Sequence, residues 1–233
     1  MKLTPEQIDR LYQFTRQHYV EWYDLQTELV DHLANAIEQQ WQENPKLSFE
    51  DALQKEFKKF GVFGFMDVVE KRLAAMNKRY NKILWQHFKE FFTIPKIVLT
   101  FIFVIATFYT FKLIFFNEIF AVGLLLLLLF TIPFLIIEQK KKKKRKKETG
   151  KVWLLEQIIF GHGSILGMVT IPFNLFNSLT HFEKAPNDFV IFGLSLLLVS
   201  LFLGSYIITK VIPSKAVDYL NETYPEYALE NDK

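Results

Sequence analysis

IFAVGLLLLLLFTIPFLIIEQKKKKKRKK, residues 119–147, decides the class of this chain. Its first 19 residues, Ile119 to Ile137, carry no charge. They end at Glu138-Gln139 and an unbroken basic run, Lys140, Lys141, Lys142, Lys143, Lys144, Arg145, Lys146 and Lys147. A helix of about 20 apolar residues crosses a hydrocarbon core of roughly 30 Å, and a lysine block beside such a helix holds its end on the cytosolic side.

Working outward, three further apolar segments read as spans, at 97–116, 152–179 and 189–212. Asn117-Glu118 would then be a two-residue linker closing the first two spans into a hairpin. Lys78, Arg79, Lys82, Lys89 and Lys96 precede the first span, and Lys210 and Lys215 lie at the end of the last. The opposite-side loops hold only Asn117-Glu118 and residues 181–188, with the single lysine Lys184. This asymmetry places both termini and the basic loop 138–151 in the cytosol, with four crossings of the cell (inner) membrane. Lys112, near the outer end of the first span, is expected to snorkel.

The basic run is read as a topology lock that attracts anionic headgroups. A nucleic-acid groove would interleave aromatic residues, and none occurs there. Ionisable groups inside spans are functional candidates, and here they are Glu156 and His162 in the third segment. Their spacing of six residues puts them on nearly opposite helix faces, which disfavours a shared site. Gly163-xxx-Gly167 and Ser200-xxx-Gly204 instead supply small-residue faces for helix packing, and Pro172 would kink the third span. The bundle could be monomeric or form a homo-oligomer.

Residues 1–92 differ in kind: polar, charge-balanced and helical in period. MKLTPEQIDRLYQFTRQHY has no apolar h-region, so the first span is expected to act as an uncleaved insertion signal. Thr4, Pro5 and Gln7 start a first helix. Leu25, Leu29, Leu33, Ala36, Ile37 and Trp41 form the stripe of a second over about 20–42, stopped by Asn44-Pro45. Ser48 caps a third, with Ala52, Leu53, Phe57 and Phe60 inward and Gly61 as its stop. A fourth runs over about 66–92 into the first span, the geometry of a mechanical link. The tail 213–233 suggests a short interfacial helix.

Asp24, Glu28, Asp31 and His32 form the one cluster here with metal-like spacing. A single histidine among acids more often makes surface ion pairs, so no metal is expected. His18 and His87 lack sequence partners and read as surface or interfacial. The chain contains no cysteine, which excludes disulfides and thiolate chemistry. No G-x-S-x-G, H-E-x-x-H or phosphate-binding glycine loop occurs, so neither a cofactor nor an enzyme is expected.

The order Glu28-Leu29-Val30-Asp31-His32-Leu33, then Ala36-Ile37-Glu38, then Ser48-Phe49-Glu50-Asp51-Ala52-Leu53 and Phe60-Gly61 resembles the bacterial helical domain associated with signalling. The resemblance spans Tyr23 to Arg72. It implies a regulatory role at the membrane, as for relatives that accompany PadR-type repressors. The expected architecture is all-α: a small cytosolic helical domain (1–92), a four-helix transmembrane bundle (97–212) and a cytosolic tail. The expected function is a signalling or regulatory adaptor whose cytosolic domain binds a protein partner. The alternative is a small transporter or an accessory subunit of a transport or secretion complex.

Overall fold

The computed structural model describes residues 2–113, 116–161, 170, 173–174, 177 and 187–231, which are mostly helical with no strand among them. The chain divides into two compact units, residues 1–78 with 148–157, and residues 79–147 with 158–233.

The first unit begins with α1, Pro5–Gln17. Thr4 accepts from Gln7 N, and the Gln7 side chain accepts in turn from the Thr4 amide, the capping box expected of this sequence. Helix α2, Tyr23–Glu43, starts three residues later than its stripe suggested. Its positions Leu25, Leu29, Leu33, Ile37 and Trp41 are buried. Helix α3, Phe49–Phe57, is capped by Ser48, whose hydroxyl accepts from Asp51 N. A 3-10 turn, Lys58–Phe60, ends at Gly61 with φ +80°, a conformation that favours glycine. Ala52 and Leu53 are buried as expected, whereas Phe57 and Phe60 are only half-buried. Both rings join Phe14, His18 and Phe65 in a cluster of edge and tilted contacts.

Helix α4 runs Met66–Glu90, and the unit boundary falls within it. In the second unit its inward residues include Tyr80, Ile83 and His87. Burial pushes the Tyr80 phenol from 10.0 up to about 12. A raised pKa means that the neutral phenol is favoured by folding. Its contribution is therefore complete below pH 10 and is lost as pH rises from 10 through 12, by up to about 3 kcal/mol. Tyr80→Phe is thus expected to move the alkaline unfolding transition, followed by circular dichroism, to higher pH. An unchanged transition would show that the phenol ionises freely in the folded chain.

Three helices among the described residues are long and apolar enough to cross a membrane. Helix α5 is Lys96–Leu113 and α6 is Phe116–Thr149. The six-residue α7, Leu154–Ile159, is too short to span. Helix α8, Asp188–Tyr206, reaches the necessary length with its continuation to Ser214. Phe111, Leu124, Ile191, Leu194 and Leu198 form one apolar core across α5, α6 and α8. Gly123 lets α6 approach closely, since a Cβ there would lie 2.9 Å from Leu198 Cδ2.

Several boundaries differ from those expected. Asn117 and Glu118 belong to the first turn of α6 rather than to a linker. The expected basic loop 138–151 is helical through Thr149. Lysine and arginine are good helix formers, and nothing breaks the run before Gly150, whose φ is +67°. Lys112, at the end of α5, pairs with Asp188 at 2.8 Å.

The first residues of the expected third span belong elsewhere: 152–157 are part of the first unit. His162, the Gly163-xxx-Gly167 face and Pro172 lie outside the described residues. After α8 the helix passes through a π turn, Ile207–Val211, to Ile212–Ser214. The tail then forms α9, Ala216–Thr223, and α10, Pro225–Asn231. These bury Ala216, Leu220, Tyr224 and Tyr227, and Arg145 of the basic run donates to the Tyr227 hydroxyl.

Candidate functional site

The first unit holds a docked segment that hydropathy assigns to the membrane. Residues 151–157 lie against the start of α2 through three polar contacts. Tyr23 N donates to Val152 O at 2.8 Å. Trp22 Nε1 donates to Gln157 Oε1 at 3.1 Å. Leu154 N donates to Asp24 Oδ1 at 3.1 Å, so a carboxylate meets the first turn of α7. Trp153 packs edge-on to Tyr23 with ring centroids 5.2 Å apart, and Lys151 Nζ lies 4.0 Å from the centroid of the same ring. Trp153, Leu154, Leu155 and Glu156 are all buried here.

This geometry takes apart the acidic-histidine cluster. Asp24 is buried and engaged with Leu154. Glu28 pairs with Arg72 at 3.6 Å. Asp31 is exposed. His32 turns to Glu56, at 3.7 Å, which also binds Lys59 at 2.6 Å. No group of acids, histidines or cysteines among the described residues could hold a metal ion. Glu156 is buried in the first unit, and His162, its expected companion, lies outside the described residues.

The second unit contains a site that sequence spacing did not reveal. His87, expected to be a surface or interfacial residue, is 5% exposed. Its Nδ1 lies 2.9 Å from Glu90 Oε1 and its Nε2 lies 2.6 Å from the Tyr219 hydroxyl. Arg79 and Glu222 add a 3.6 Å ion pair between α4 and α9. Burial raises the Tyr219 phenol, and the charges of Glu90, Asp218 and Glu222 raise it further. Both ring nitrogens of His87 are thus engaged, with the donor and acceptor roles set by its tautomer. At Glu90, desolvation opposes ionisation but is outweighed by His87, Lys96 and Lys215, which hold the carboxyl below its usual range. The three groups thus clamp the tail to α4. His18 is also engaged: it is half-buried, its Nδ1 is 2.8 Å from Phe14 O, and its ring lies 4.3 Å from that of Phe57.

Among the apolar helices, a groove of about 470 Å³ is lined by Phe103, Thr107, Phe130, Leu198, Val199, Phe202, Leu203 and Tyr206, without a charged side chain. The buried hydroxyls Thr131, Ser195 and Thr209 each donate to a carbonyl four residues back in their own helix. They do not converge on a shared polar path.

Fold and sites together define an all-helical protein with, among the described residues, three helices able to cross a membrane, and with a helical unit containing its N-terminal residues. No family model, curated protein or solved structure matches the chain.

Proposed function

We propose that the chain is a membrane-anchored signalling or regulatory adaptor whose first unit, on the cytosolic face of the bacterial inner membrane, binds a protein partner. The observation that carries this reading is the attachment of residues 151–157 to Trp22, Tyr23 and Asp24. It ties α2 to the chain beyond α5 and α6, as well as to the chain before them. A partner that shifts α2 would therefore act on the segment entering the expected third span, without any catalytic group. Thr131, Ser195 and Thr209 bond within their own helices, which weighs against the transporter alternative, because a conduction path needs polar groups aimed at one another.

The test is photo-crosslinking in native membranes from Asn35 and Gln39, exposed on α2, beside Leu125 and Leu129, exposed on α6. The expected outcome is one soluble protein captured reproducibly from α2. Capture of membrane proteins alone, and only from α6, would replace the adaptor with an accessory subunit of a membrane complex.

A further inference from the structure

The turn between the 3-10 segment and α4 is the most apolar exposed point of the first unit. Val62 is 98% exposed and Phe63 is 71% exposed, followed by Met66 on the first turn of α4. This tip is built on a firm base. Phe65, two residues after Phe63, is buried among Phe14, Phe57 and Phe60. The chain thus presents Val62 and Phe63 outward while anchoring the same turn inward, and neither side chain is needed for the core.

The charges on the preceding helical turns decide what such a tip fits. Lys55, Lys58 and Lys59 are all exposed. The one carboxylate among them, Glu56, is 4% exposed and turned toward His32 and Lys59. Asp67 and Glu70 follow on α4 and only partly offset the lysines. Two exposed apolar side chains beside a cationic collar match an anionic bilayer surface: the apolar groups enter the headgroup–acyl boundary and the ammonium groups remain among phosphates. Phe63 is 33 residues from Lys96 (96 − 63), where the first apolar helix starts, and α4 fills 25 of the intervening positions.

We infer that Val62 and Phe63 form a membrane-inserting tip, held at anionic lipid by Lys55, Lys58 and Lys59. This rests on the membrane-crossing reading of α5, α6 and α8 but not on the adaptor role. It gives the first unit a second, reversible attachment, sensitive to lipid charge.

The absence of cysteine allows single-site labelling of the full chain. Val62→Cys or Phe63→Cys would carry the polarity-sensitive fluorophore NBD in vesicles of phosphatidylcholine alone or with phosphatidylglycerol. Asn35→Cys and Leu125→Cys serve as water-facing and lipid-facing references. The expected result is blue-shifted tip emission, quenched several-fold by brominated acyl chains only where phosphatidylglycerol is present. The quenching should be lost in Lys55→Glu/Lys58→Glu. Water-like emission in both vesicle types overturns the inference. So does blue-shifted emission that acyl-chain bromine does not quench, which would mean that protein covers the tip. If Leu125→Cys is itself unquenched, the membrane-crossing reading fails, a result distinct from failure of the tip.

Discussion

Leu154→Ala is expected to destabilise the first unit by about 2–5 kcal/mol, the range for truncating a buried leucine. Leu154 is fully buried, and its amide is held by Asp24. Truncation removes apolar contacts and leaves a void in a small core that has little else to close around it. Amide hydrogen exchange of the full chain in nanodiscs would register the loss at residues 151–157 and at the Tyr23 amide, which donates to Val152. The tail clamp at His87 and Tyr219, in the second unit, is expected to keep its protection. Asp24→Ala should weaken the same segment by about 1–3 kcal/mol, since it strands a buried amide. Unchanged exchange in Leu154→Ala would show that residues 151–157 are not part of this unit, and the coupling proposed through them would fall with it.

Gly64→Ala should cost about 2–5 kcal/mol, for two reasons that add. Gly64 has φ +55°, and an L-residue there costs roughly 1–2 kcal/mol. An added Cβ would also lie 2.7 Å from Phe57 Cζ, and overpacking of this kind costs about 1–3 kcal/mol. The Phe57 ring has little room to retreat, because His18 lies 4.3 Å and Phe65 4.9 Å away between centroids. Phe57→Leu supplies the check. In that background the steric part of the Gly64→Ala penalty should shrink while the backbone part persists, a coupling that a double-mutant cycle reads directly. Additive penalties would mean that Phe57 does not press on Gly64.

Much of the local structure was legible because its causes are local. Thr4 and Gln7 form a capping box from residues three apart, and Ser48 caps α3 through the Asp51 amide at the same spacing. The stripe from Leu25 to Trp41 faces inward because a helix repeats every 3.6 residues. The third span differs from its expected course at residues 152–157, and the reason is instructive. Its assigned extent, 152–179, was 28 residues (179 − 152 + 1), longer than the roughly 20 a bilayer needs. The surplus turn carried Glu156 and Gln157, which are costly in lipid. Those residues instead dock on α2. Hydropathy measures how apolar a segment is, and both lipid and a protein core accept apolar segments.

The sites divide in the same way. Asp24, Glu28, Asp31 and His32 are neighbours in sequence, yet tertiary contacts send three of them to different residues: Leu154, Arg72 and Glu56. His87 and Tyr219 are 132 positions apart and meet at 2.6 Å. The sequence by itself determined the helical class, the caps, the inward stripes and three of the four helices expected to cross a membrane, because composition and short-range spacing suffice for each. Only the tertiary structure decided where residues 151–157 go, which acid faces which base, and that His87 is buried. Those outcomes depend on which distant surfaces exclude water together, and residue spacing along one chain carries no record of that.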